Sequence, residues 1–268
     1  MNIINIVSSF FISVSILTRI PVPLSGAVVF NEKNAASSTI FFPLVGLFFG
    51  FCIFTLHVLL NACGVPAAFQ AVCIAALPYI INKFLHFDGL CDTIDAFLAD
   101  RLPKERLAIL KDTKIGSFAV GSAVLIILAK YICIKMLISS PALAQYLVIV
   151  PVFARYSMVL LSYRTVYPRE TGAAVNIIGK VTKADLLVST YIVSLIVAFF
   201  ITVNVNRIFV LFAVIVSCIT MFIVVYGMKF ISYIKIGGVT GDVLGAMNEI
   251  MEPVLFVMIL FLFKLYIV

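Results

Sequence analysis

The chain of 268 residues contains no tryptophan, two histidines and twelve Asp and Glu, and only 12% of it is charged. Soluble domains carry about 25% charged residues, so a large soluble core is excluded. The lack of Trp removes the usual aromatic belt of a membrane protein. Even so, 63% of the residues are hydrophobic, Phe and Tyr number 24 and 10, and the mean hydropathy is +1.21. A chain of this kind crosses a lipid bilayer several times. Its six cysteines form no CxxC pair and lie mostly in apolar runs. They read as small buried hydrophobes rather than as a metal or disulfide framework. The first residues lack both a basic n-region and an Ala-x-Ala motif, which argues against a cleaved signal peptide. No tandem repeat, low-complexity tract or long soluble loop is visible, so residues 1–268 are expected to form a single membrane-embedded domain.

Apolar runs occupy about 38–60, 67–85, 116–138, 143–163, 186–203, 207–227 and 253–268. The expected fold class is all-α, a polytopic helical bundle of about seven spans. Residues 3–18 are apolar but short and Ser-rich, and fit a re-entrant, interfacial or spanning segment. The prolines of Leu17-Thr18-Arg19-Ile20-Pro21-Val22-Pro23 then call for extended backbone. Loops at 19–37, 83–114, 164–185 and 228–252 hold fourteen of the nineteen Lys and Arg and all twelve acids. The remaining bases include Lys130 and Lys135 on or near the opposite side, and Arg155 inside a span. The positive-inside rule puts the fourteen-residue side in the cytoplasm. The formal charge of +7 therefore reads as membrane orientation, with no nucleic-acid partner.

Polar chemistry concentrates in His86-Phe87-Asp88-Gly89-Leu90-Cys91-Asp92-Thr93-Ile94-Asp95 and in Lys111-Asp112-Thr113-Lys114-Ile115-Gly116. On a helix, Asp88, Asp92 and Asp95 fall at i, i+4 and i+7, within a ~60° arc of one face. Carboxylates ~6 Å apart at an effective dielectric of ~20 repel by roughly 3 kcal/mol per pair. Such a face calls for a cation, and hard oxygen ligands suit Mg²⁺. Asp88 and Asp92 are spaced to share one metal, with Asp112 reaching in from the next helix start. Asp95 and Asp242 are candidates for a further ligand or for the general base, and His86, beside Asp88, for a catalytic role. Lys111, Lys114 and Arg106 are suited either to hold phosphates or to fix orientation. Arg155 within its span needs a partner, an acid or a phosphate. Lys235, Gly237, Gly238, Thr240 and Gly241, ahead of Asp242, could form an anion-binding loop or a simple turn. His57, alone in a span, reads as a hydrogen-bonded core residue.

These motifs, with Phe42-Pro43-Leu44-Val45-Gly46, Ala154-Arg155 and Gly237-Gly238-Val239-Thr240-Gly241-Asp242-Val243-Leu244-Gly245-Ala246, occur in an order that resembles the cobalamin synthase family, the adenosylcobinamide-GDP ribazoletransferases. The sequence departs from the family pattern at Ala108, where Glu is common, and at Ala119, where Gly is common; Glu105 is a conceivable substitute for the first. The resemblance implies an Mg²⁺-dependent multi-pass enzyme of the bacterial inner membrane with its active site toward the cytoplasm. It would join adenosylcobinamide-GDP to α-ribazole, or its 5′-phosphate, and release GMP; self-association is left open. Two other readings are weaker. A CDP-alcohol phosphotransferase would carry Asp-x₂-Asp-Gly-x₂-Ala-Arg, which is absent. A cation transporter would bury its acids near mid-span.

Overall fold

The computed structural model describes residues 3–18, 20, 22, 31–112, 114–204 and 206–267. Most of the stretch from Arg19 to Pro23, expected to be extended, lies outside them, as does Thr113. Every regular element among the described residues is a helix. The first, α1 (Ile3–Leu17), has 15 residues and so spans about 22 Å, short of the ~30 Å hydrocarbon core. It turns Ser8, Ser9 and Ser13 inward and leaves Ile3, Ile4 and Phe10 exposed. Ser9 Oγ donates to the Asn34 carbonyl at 3.1 Å. Polar-in, apolar-out is how a helix packs when its outer solvent is lipid.

Asn31 caps α2 (Glu32–Ser37), which runs through a 3₁₀ turn, Ser38–Phe41, into α3 (Phe42–Ala62). Next come α4 (Ala67–Asn82) and α5 (Leu85–Leu98), then the short α6 (Pro103–Ile109) and α7 (Ser117–Ile138). α8 (Pro141–Ala144) leads into α9 (Tyr146–Ser162), followed by α10 (Lys183–Val203), α11 (Arg207–Ile236) and α12 (Gly241–Ile267). Among the described residues, six helices are long and apolar enough to cross a membrane, or seven if α4 and α5, bent by 91°, make one broken span. The protein is thus all-helical and multi-pass.

The core is built around α9. In its span 89% of residues are buried, against 17% for α10, which faces outward. Gly46 and Gly50 bring the α3 backbone against α9: a Cβ at Gly46 would lie 2.4 Å from the Pro151 carbonyl oxygen, and one at Gly50 2.5 Å from that of Val148. Small residues at such crossings let dispersion contacts replace the missing hydrophobic drive between helices in lipid.

Three expectations need correction. Residues 228–252 are not a loop, because α11 continues to Ile236 and α12 already starts at Gly241. Lys130 is not at the outer edge: it lies mid-way along α7, and its Nζ meets Glu249 Oε2 at 2.6 Å and Glu252 Oε2 at 2.9 Å. Glu249 and Glu252 accordingly belong to the bundle interior, 2% and 8% exposed. The physical reason is charge cancellation. Arg155 of α9 completes the set, donating to Glu252 Oε1 at 2.8 Å and to Asn248 Oδ1. Tyr79 of α4 donates to Glu249 Oε2 at 3.0 Å. Two cations and two anions on three helices, with a tyrosine from a fourth, can leave water because each charge has an opposite partner. Of the two partners considered for Arg155, the acid is the one in contact. This quartet fixes α12 against α4, α7 and α9, and α12 in turn carries Asp242.

Candidate functional site

The site is organised by the break between α4 and α5. Lys83 and Phe84 both adopt left-handed backbone, φ 49° and 60°, a conformation that costs a non-glycine residue about 1 kcal/mol or more. Phe84 is held there by aromatic packing: its ring stacks on Tyr79 at 5.4 Å and meets Phe87 edge-on at 6.0 Å. The bend aims α5 along α12. A Cβ at Gly89 would lie 2.8 Å from the Asp242 carbonyl oxygen, and one at Gly245 would lie 3.0 Å from that of His86. The two helices therefore cross backbone to backbone, and only glycine fits at these points.

The back of α5 (Gly89, Leu90, Cys91, Thr93, Ala96 and Phe97) is buried. Its front carries the acids, with Asp88 exposed and Asp92 and Asp95 half-buried. Asp92 lies within electrostatic reach of Asp88, Asp95, Asp242 and Arg169. The helical spacing and the α5–α12 crossing thus gather four carboxylates near one arginine. Arg169 Nη2 is 3.3 Å from Asp242 Oδ2. The sequence carries no signal for Arg169: it sits in the irregular stretch after α9, 73 residues from its partner.

The acids do different jobs. Asp95 accepts from Gly116 N at 2.6 Å and from Ala119 N at 2.9 Å, and so caps the start of α7, whose own N-cap is glycine. A carboxylate there satisfies orphan N–H groups and complements the helix dipole. Asp112 is exposed and accepts from Lys114 N at 3.1 Å. Asp242 opens α12 and also accepts from buried Thr240 Oγ1 at 3.2 Å. Among the described residues, no three His, Cys, Asp or Glu side chains converge as a preformed metal cage. Magnesium does not need one: it keeps waters and takes one or two carboxylates plus substrate phosphates. Asp88 and Asp92, one turn apart on an accessible face, fit that requirement.

The basic residues divide similarly. Lys111 lines a cleft of about 380 Å³ with Lys104, Arg169 and Glu170. Lys114 is exposed on the loop before α7. Arg106 is spent on structure, donating to the carbonyls of Ala99 (3.1 Å) and Lys235 (3.4 Å). Gly237, at φ 77°, ends α11. Gly238 presses on the Val166 backbone, where a Cβ would lie 2.3 Å from its carbonyl oxygen, and Val239 N donates to that same oxygen at 2.9 Å. Gly241 packs on Ala174, whose Cβ would lie 3.5 Å from a Cβ built there. The glycine-rich loop thus ties α12 to the 164–182 connection. His86 is buried, with no partner for Nε2. His57 Nδ1 lies 2.8 Å from Gln70 Oε1, in keeping with a hydrogen-bonded core role.

Fold and site define a multi-pass helical membrane protein whose acids and bases gather at one end around α5, α6 and the head of α12. The family model for cobalamin-5-phosphate synthase matches residues 9–260, and the chain belongs to this family. Among its relatives is an adenosylcobinamide-GDP ribazoletransferase of Syntrophobacter fumaroxidans, 32% identical over 92% of this chain and 96% of its own. Proteins of the same name from Clostridioides difficile and Pseudomonas fluorescens are also 32% identical, over 96% and 90% of this chain and 98% and 94% of theirs. No solved structure matches.

Proposed function

We propose that this protein is the transferase of cobalamin synthesis that joins adenosylcobinamide-GDP to α-ribazole, or to its 5′-phosphate, and releases GMP. One observation carries the reading at the level of chemistry: the α5 carboxylates and Asp242 gather near Arg169, which lines a cleft edged by Lys104 and Lys111. Excess negative charge next to clustered cations suits a metal-bound pyrophosphate.

In the reaction a ribose hydroxyl attacks the phosphorus nearer the cobinamide. A new O–P bond forms, the P–O bond to GMP breaks, and GMP leaves with the electron pair. Lys104, Lys111 and Arg169 hold the guanosine side and offset charge on the leaving phosphate. Asp242, at the junction of α12 with the cleft, takes the hydroxyl proton. Asp88 and Asp92 are the residues that would hold Mg²⁺, which, when bound, spreads the phosphate charge. Asp95 keeps α7 in place beside them.

The charge asymmetry supports a bacterial inner-membrane location with this end in the cytoplasm. Native Cys63 is exposed at the far end of α3. An impermeant thiol reagent should label it from outside, and should label Asp100→Cys, in a Cys63→Ser background, only from inside. The activity test is GMP release by purified protein in liposomes given adenosylcobinamide-GDP, α-ribazole and Mg²⁺. Absence of release from folded protein would sink the assignment.

A further inference from the structure

A second cavity, of about 480 Å³, has Asp242 in its wall and lies between α1, α3, α5, α9 and the start of α12. Its lining contrasts with the lysine-edged cleft. Leu17, Phe42, Met158, Ala174, Ile177 and Leu244 give it apolar walls, and no Lys or Arg is among its described lining residues. Asp88 and Asp242 stand at its polar end. His86 also lines it, 4% exposed, with Nε2 buried and without a hydrogen-bond partner. An unpaired buried ring nitrogen is a cost that a bound ligand with one hydrogen-bond donor removes.

We propose that this cavity holds the base of the acceptor nucleoside: an uncharged, largely apolar bicyclic heterocycle, seated so that its ribose emerges beside His86, Asp88 and Asp242. The inference rests on the transferase reading and adds the acceptor subsite to it. Volume and chemistry select the occupant. A pocket of this size takes a drug-sized group, whereas a corrin is several times too large. Guanine presents a row of donors and acceptors that apolar walls would strip of water without replacement. A phosphate would find no cation among the described lining residues. An alkylated benzimidazole loses little on entering, and a hydroxyl of its ribose can donate to His86 Nε2, which the bond from the other ring nitrogen to the Leu17 backbone leaves as an acceptor. The placement also puts the acceptor at Asp242, whose partner Arg169 lines the lysine-edged cleft.

Ala173 lines the cavity from the connection between α9 and α10, outside any helix, so enlarging it tests the space with little demand on the fold. With wild-type GMP release as the control, Ala173→Phe should raise the KM for α-ribazole at least tenfold and Ala173→Leu by less. The KM for adenosylcobinamide-GDP should stay within about threefold. An unchanged ribazole KM in both variants, or a rise confined to the GDP-bearing substrate, would overturn the assignment. Because the chain has no Trp, Ile16→Trp places a lone fluorophore on the cavity wall and reads binding without turnover. Saturable quenching by α-ribazole but not by GDP is expected. Quenching by GDP alone, or no response to α-ribazole, rules out an acceptor site. A wild type that releases no GMP overturns the transferase reading instead, and the titration still reports what the cavity binds.

Discussion

α12 carries two polar clusters about 10 Å apart along its axis, and they obey opposite rules. At Glu249 and Glu252 the charges balance: Lys130 and Arg155 meet the two acids within 2.9 Å, and Tyr79 and Asn248 fill further hydrogen-bonding positions. At Asp242 they do not: Asp88, Asp92 and Asp95 lie nearby, and among the described residues Arg169 is the cation paired there, with Asp242. Deep in a bilayer an uncompensated charge is too costly to keep, so the buried set is closed and complete. At the membrane face water screens the surplus, and an unbalanced cluster can persist because a cation and a phosphate complete it. Balance marks the scaffold and imbalance marks the site.

The largest effect is expected from breaking the balanced cluster. Glu252→Gln takes from Arg155 its paired acid and leaves Lys130 with Glu249 alone, and breaking one member out of a buried ionic set costs about 3–5 kcal/mol. The variant should lose most of its folded yield, read as a fall in the detergent-solubilised melting temperature. The paired variant Lys130→Met/Glu249→Leu, which removes one charge of each sign and keeps Arg155 with Glu252, should lose less. Equal damage in the single and paired variants would mean that packing, not charge, holds these helices.

Breaking the unbalanced cluster should do the reverse, sparing stability and removing activity. Asp88→Asn and Asp92→Asn are nearly isosteric and reduce repulsion, so melting temperatures should hold or rise. GMP release should fall about 10²-fold or more and demand more Mg²⁺. Asp242→Asn should lower kcat by roughly 10²–10⁴ with less change in Mg²⁺ requirement, as expected for a lost base. A drop in melting temperature with unchanged activity for Asp88→Asn and Asp92→Asn would make the α5 face structural.

Asp95 sits between the two cases, an acid of the face employed as a cap. Asp95→Ala removes two charge-assisted bonds at the start of α7 and should cost about 1–2 kcal/mol. Asp95→Asn keeps one acceptor oxygen and should fall between it and wild type. If both variants abolish turnover while melting as wild type, Asp95 is a ligand or base rather than a brace.

Much of this division could be read from the chain, and some could not. Hydropathy delimits α3, α7, α9 and α10 closely, because an apolar run of about twenty residues has one use in a bilayer. The i, i+4, i+7 spacing of Asp88, Asp92 and Asp95 needs only helical geometry, and α5 supplies it. The course of residues 228–252 was not legible from hydropathy. Glu249 and Glu252 depress it locally, and their neutralisation depends on Lys130 and Arg155, which are more than ninety residues away in sequence. Arg169 was hidden for the same reason. Local pattern shows which side chains share a face, whereas partners across the bundle appear only once the helices are packed.

The smallest effect is expected at Glu105, the acid nearest the position where Ala108 departs from the family pattern. Were Glu105 a substitute ligand, Glu105→Ala would cripple turnover and Ala108→Glu would partly restore it. Its environment points elsewhere. Glu105 is exposed and accepts from Leu102 N at 3.0 Å, closing the first turn of α6. α6 has only seven residues, and its position is secured independently by Arg106, whose guanidinium bonds the carbonyls of Ala99 and Lys235. Losing one exposed cap should therefore cost less than about 1 kcal/mol. It should leave kcat within about threefold, with a slight rise in the KM for adenosylcobinamide-GDP as Lys104 and Lys111 loosen. Arg106→Ala, which frees α6 from α11, should raise that KM further. A hundredfold loss of kcat in stably folded Glu105→Ala would return this glutamate to the acid cluster and extend the unbalanced region onto α6.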